Sequence, residues 1–109
     1  MISSYRSMRI ILMFDLPSVE DYEKKEYSQF RKALLRNGYS MMQYSIYIKA
    51  SNLQVDLKKE IAKFKDKIPR DGNIRMIAIT EKQYQAMEIV LGNKKIDEIY
   101  NNSERYVKI

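Results

Sequence analysis

The stretch RIILMFDLP, residues 9–17, limits the fold more than any other feature of this chain. An unbroken apolar run from Ile10 to Phe14 lies between Arg9 and Asp15, and Pro17 follows closely. A β-branched and aromatic run of this length reads as a buried strand over residues 8–14. Alternate side chains of a strand face opposite ways, so Ile10, Leu12 and Phe14 share one side and Ile11 and Met13 the other. Both sides are apolar. The stretch IRMIAIT, residues 74–80, behaves in the same way, with Ile74, Met76 and Ala78 opposed to Ile77 and Ile79. A small sheet built on such strands needs cover on both faces. Helices supply it on one. The other is closed by a second copy of the chain about a two-fold axis, or by the C-terminal segment alone.

Between these strands the pattern turns helical. Tyr27, Phe30 and Leu34 recur at helical spacing, Ser18 and Asp21 resemble an N-terminal cap, and Gly38 follows Asn37 as a stop. YSMMQYSIYIKA, residues 39–50, is β-rich, with Met42, Tyr44, Ile46 and Ile48 alternating with Gln43, Ser45, Tyr47 and Lys49, and periodicity does not decide between one long strand and a tight hairpin. A second helix begins after a Ser51–Gln54 capping signal and lays Leu53, Leu57, Ile61, Phe64 and Ile68 on one face. PRDGN, residues 69–73, is a turn by composition. Thr80 and Gln83 cap a short third helix with Tyr84, Met87 and Leu91 on its apolar side and Gly92 at its end. The order β-α-β(β)-α-β is that of the split βαβ motif, and RYVKI at the C-terminus suits a last strand.

Composition removes whole classes of chemistry. The chain has 109 residues, one domain's worth, with no cysteine and no histidine. Disulfides, zinc–thiolate sites, thiol nucleophiles and Ser-His-Asp triads are therefore excluded. A metal, if one binds, is a hard oxygen-liganded cation such as Mg2+ or Mn2+. With three glycines, no phosphate-cradling glycine motif is present. The net charge of +6 favours a polyanionic partner, nucleic acid before membrane. No apolar stretch approaches the ~20 residues of a membrane span, and MISSYRSMRI lacks a signal-peptide core, so a cytoplasmic location is expected.

Asp15 is the prime candidate for chemistry, because it stands where a central strand leaves the core. Turn formation before Pro17 is the plain alternative. One carboxylate holds magnesium weakly, whereas two copies of Asp15 near a two-fold axis share one ion, which would activate water and offset charge on a phosphodiester oxygen. Lys24, Lys25, Arg31, Lys32 and Arg36 on the first helix, with Lys58 and Lys59 on the second, are candidate phosphate contacts. A solvated outer face explains them equally well.

RIILMFDLP, FRKALLRNGY, MMQYSIYIK, GNIRMIAITEKQY and NNSERYVKI, in this order, are similar to the family of the second core protein of CRISPR adaptation, in the variants of type II systems. The resemblance covers most of the chain. It implies an α+β, ferredoxin-like βαββαβ domain over residues 1–92, and a 93–109 extension whose strand pairs across a homodimer packed sheet to sheet. It implies a short hairpin within 39–50 and Asp15 as the magnesium ligand of a metal-dependent endonuclease cutting RNA or double-stranded DNA. It further implies a dimer that binds a prespacer duplex and bridges two integrase dimers. Met41 stands where nuclease-active relatives often carry a basic residue, so the phosphate-orienting group expected there is missing. Tyr47 matches an aromatic position of the same segment.

Overall fold

A computed structural model describes residues 7–94. Its elements run β1 (Ser7–Asp15), α1 (Asp21–Arg36), β2 (Ser40–Gln43), β3 (Ile46–Asn52), α2 (Leu57–Lys63), a 3-10 turn (Lys65–Lys67), β4 (Asn73–Thr80) and α3 (Glu81–Gln85). The strands form one sheet in the order β2-β3-β1-β4. Every neighbouring pair is antiparallel. This is an α+β architecture compatible with the ferredoxin-like expectation, with β4 and β2 at the edges of the described sheet. The expected terminal strand, and the 93–109 extension beyond Lys94, lie outside the described residues.

The alternation read in β1 is realised. Ile10, Leu12 and Phe14 are buried under the helices with Phe30, Ala33 and Leu34 of α1 and Phe64 after α2. Each of these side chains larger than Ala33 contributes about 1.5–3 kcal/mol by leaving water. Phe14 is gripped by aromatic rings: Tyr27 and Phe30 meet it edge-on at 5.7 Å, and Tyr47 stacks on it at 5.8 Å. The residue before Asp15 is thus held from three sides.

Several local expectations are corrected. The N-cap of α1 is Glu20, in a reciprocal box with Glu23, and not Ser18. Glu23 Oε1 accepts from the Val19 and Glu20 amides at 3.1 and 2.9 Å, which a serine two residues earlier cannot match in register. Asp56, not Ser51, caps α2 by accepting from the Lys58 and Lys59 amides. Leu53 therefore precedes the helix and is exposed. Ile61 and Ile68 are also partly open, because they line a hollow of about 330 Å³ beside β4 with Leu57, Phe64, Ile74 and Met76. The Thr80–Gln83 box is present, but α3 stops at Gln85, so Met87 and Leu91 are exposed.

Residues 39–50 form the hairpin. Tyr44 and Ser45 make its turn between the paired Gln43 and Ile46, and Ser45 takes a left-handed φ of 66°. Non-glycine residues bear strain there, offset here by the Phe14 amide donating to the Ser45 carbonyl at 2.9 Å.

The second sheet face is unevenly covered. Over the Arg9 end lies α3. Arg9, 1% exposed, forms a two-pronged pair with Glu81 through Nε–Oε1 at 2.6 Å and a second nitrogen to Oε2 at 3.1 Å. Tyr84 lies 4.0 Å beneath the guanidinium and also packs with Ile11 and Ile48. Toward the Asp15 end no described helix lies over the sheet, and Met13 and Ile77 are 37% and 49% exposed.

On the helix side, Glu60 is buried and accepts from Tyr39 Oη at 3.1 Å, Lys49 Nζ at 3.0 Å and Lys63 Nζ at 2.7 Å. Burial pushes its carboxyl up, but these bonds outweigh burial and hold it below the ordinary carboxylate range. Burial and the same carboxylate push the Tyr39 hydroxyl well above its ordinary value.

Candidate functional site

Asp15 ends β1 directly opposite Asn73, the first residue of β4. Its place in the alternation puts it on the same face as Arg9, Ile11 and Met13, away from the helices. Around it is an open groove of about 480 Å³, bounded by Met13, Tyr44, Ser45, Ile46, Asn73 and Arg75 among others. Three chain segments distant in sequence meet there: the end of β1, the hairpin turn and the start of β4.

A close approach fixes this meeting. Gly72 has φ +114°, and a Cβ on it would fall 2.6 Å from Leu16 Cδ2 and 2.7 Å from the Asp15 carbonyl oxygen. Only glycine lets the 69–73 turn press so tightly on the strand end. The turn is tied to α1 by Arg70, whose Nε donates to Glu26 Oε2 at 2.8 Å and whose guanidinium lies 4.5 Å from the Tyr22 ring. That partnership holds the Glu26 carboxyl below its ordinary range and raises Arg70. Gly72→Ala is expected to lower stability by at least about 1–3 kcal/mol, since steric overlap adds to an unfavourable φ. Asp71→Ala next door should change it by under about 0.5 kcal/mol. Urea midpoints compare the two, and equal midpoints would show that the turn yields freely.

The basic candidates sit elsewhere. Lys24, Lys25, Arg31, Lys32 and Arg36 on α1 and Lys58 and Lys59 on α2 are all exposed. Both helices pack on the face opposite Asp15, so the structure does not bring these residues to the carboxylate. It brings Asn73 and Arg75 instead, which sequence reading passed over. The available signal was Arg75 itself, a charge interrupting the otherwise apolar Ile77–Ile79 side of its strand. Arg75 Nε donates to Asn73 Oδ1 at 3.2 Å.

Among the described residues no three Asp, Glu, His or Cys side chains gather as a metal site. Among its described residues, one copy of the chain offers a cation a single carboxylate at this point. Met41 is partly buried and packs on the helix-side core, which accounts for an apolar side chain there.

The family model for CRISPR associated protein Cas2 matches residues 8–87, spanning β1 through α3. The chain belongs to the Cas2 family. Relatives named CRISPR-associated endoribonuclease Cas2 include that of Ligilactobacillus salivarius (strain UCC118), 40% identical over 105 residues, or 92% of this chain and 98% of the relative. The Treponema denticola protein is 41% identical over 103 residues, covering 92% and 98% of the two chains. That of Lacticaseibacillus rhamnosus is 36% identical over 106 residues, covering 94% and 100%. Membership gives this chain a CRISPR-associated role, and its relatives' names point to nuclease chemistry. Among the described residues, no helix is long and apolar enough to cross a membrane.

Proposed function

We propose that this Cas2-family chain works as a homodimer in CRISPR spacer acquisition, binding duplex prespacer DNA and bridging two dimers of the partner integrase. The observation that carries the reading is the division of the molecule into two unlike faces. One is a helix layer bearing the exposed Lys24, Lys25, Arg31, Lys32, Arg36, Lys58 and Lys59. The other is a sheet face on which Met13, next to Asp15, and Ile77, opposite Ile11, are open. Pairing two copies through the apolar face removes it from water and leaves two basic layers facing outward. Lysines and arginines so placed neutralise phosphates without reading bases.

Reversing Lys24, Lys25, Lys58 and Lys59 to glutamate is expected to weaken duplex binding at least tenfold. It should also flatten the salt dependence by about one power for each phosphate no longer neutralised. Fluorescence anisotropy across a salt series reads both. Unchanged affinity in the reversed protein would remove the helix layer from the interface. Sedimentation tests the pairing, and a monomer at high concentration would end it.

A second reading, hydrolysis of RNA or DNA at Asp15, is favoured by the groove and by the relatives' names. Donor chemistry is the test of a metal here. Two Asp15 carboxylates related by a two-fold axis, with no nitrogen or sulfur ligand from His or Cys in the sequence, suit Mg2+ or Mn2+ that keeps most of its water. Such an ion supplies charge stabilisation at a phosphoryl oxygen and a more acidic water. Asp15 holds it, and the paired carboxylates otherwise repel one another.

A further inference from the structure

After α3 the chain leaves the helix end and comes back to it. Lys94 Nζ donates to Gln85 Oε1 at 3.4 Å and stands 5.0 Å over the Tyr84 ring, which closes residues 86–93 into a loop. Tyr84 is itself fixed 4.0 Å from the Arg9 guanidinium, so the loop is anchored to the sheet. Its tip is apolar. Val90 and Leu91 are 96% and 94% exposed and Ile89 about half so, and no described residue covers them. Gly92, at φ +98°, turns the chain back behind them. Adjacent apolar side chains held out on a closed loop are suited to contact with another protein.

The place of the loop in a paired molecule selects what it meets. Arg9, on which α3 rests, stands about 20 Å from Asp15 along β1 at the rise of a strand. Facing sheets pack about 10 Å apart, and a helix with its side chains is about 10 Å thick. Two α3 helices therefore do not share that gap at one end. Pairing through the open Met13 and Ile77 region sets them at opposite extremities, beyond the overlap of the sheets, so the partner copy's sheet covers neither tip. Two equivalent apolar tips at the far ends of a two-fold molecule are what a bridge between two like proteins requires.

We propose that Ile89, Val90 and Leu91 are the integrase-docking tip of this chain, each copy inserting them into an apolar socket on one integrase dimer. The inference rests on the bridging reading and names the surface that makes the bridge. Three contacts then occupy three separate places: duplex on the helix layer, the second copy on the bare end of the sheet, and the integrase at the loop after α3. A few apolar anchors seated in a socket carry most of the energy of such a contact.

The test is calorimetric titration of the full chain with its cognate integrase, with sedimentation, duplex binding and thermal melting run alongside. Val90→Glu and Leu91→Glu are each expected to weaken integrase binding by about tenfold or more, whereas Val90→Ile keeps it within about twofold. Dimer formation, duplex affinity and melting temperature stay as in the wild type. Wild-type integrase binding that neither glutamate variant weakens overturns the inference and leaves the bridging reading standing. Loss of the dimer in either variant assigns the tip to the second copy, and a lowered melting temperature assigns it to residues 95–109 of the same chain. Either result overturns the inference. A wild type that does not bind the integrase overturns the bridging reading and the inference with it.

Discussion

Glu81→Ala is expected to cost about 3–5 kcal/mol of folding stability, because it removes the two-pronged carboxylate partner of a buried guanidinium, Arg9. A domain of this size has only about 5–15 kcal/mol in hand, so the variant should unfold at a far lower urea midpoint. The loss extends beyond the pair itself. Gln85 Nε2 donates to Glu81 Oε2 at 2.6 Å, and Tyr84 beneath Arg9 belongs to the second-face packing, so α3 as a whole loosens. The double variant Arg9→Leu with Glu81→Leu should recover most of the loss, since two apolar groups demand no pairing in a dry site. Additive losses in the double variant would show that charge pairing is not what holds α3 down.

The same pair gives stability a pH dependence. Burial raises the Glu81 carboxyl, but the bonds from Arg9 and Gln85 outweigh it and hold it below the ordinary 4.5. A carboxyl depressed in the folded state contributes stability fully above its unfolded pKa and loses it as pH falls through the folded value. Glu60 is depressed in the same sense. Stability should therefore fall below about pH 4.5, and less steeply in the double leucine variant. An unaltered acid limb there would assign the acid loss to groups other than Glu81.

Asp15→Asn is expected to cut any metal-dependent phosphodiester cleavage by about a hundredfold or more, the scale of losing a ligand that stabilises developing charge. The dimer should survive, as an amide fills the same volume without the charge repulsion of paired acids. Cleavage undiminished in Asp15→Asn would place hydrolysis at another site or in a contaminant. Running the same variant in a spacer-integration assay with the cognate integrase separates the two proposed roles. Retained integration makes Asp15 a nuclease residue only, whereas loss with intact assembly ties the ion to adaptation.

Local pattern carries the element order because helix and strand periods are set by neighbours a few residues apart. Phe30 and Leu34 face the core as their spacing requires, and the Thr80–Gln83 box forms where its residues predict it. Capping departs from expectation where two acceptors compete nearby: Glu20 displaces Ser18 and Asp56 displaces Ser51. Periodicity also runs too far, extending α2 and α3 past the ends that their backbone hydrogen bonds permit. Asp15 is legible as a strand-end acid. Its companions are not, because Asn73 and Arg75 reach it only through strand register.

By itself, then, the sequence established strands with two apolar faces, helices with one, and a chain whose missing His and Cys leave only oxygen chemistry for a metal. Those properties follow from side-chain type and local spacing. Tertiary structure alone decided that Arg9 meets Glu81 across 72 residues, and that α3 covers one end of the second face while leaving Met13 and Ile77 open. It also decided that an acid, an amide and a guanidinium share one groove. Hydrogen-bond register between strands sets such meetings, and a shift of one residue would turn Asp15 toward the core.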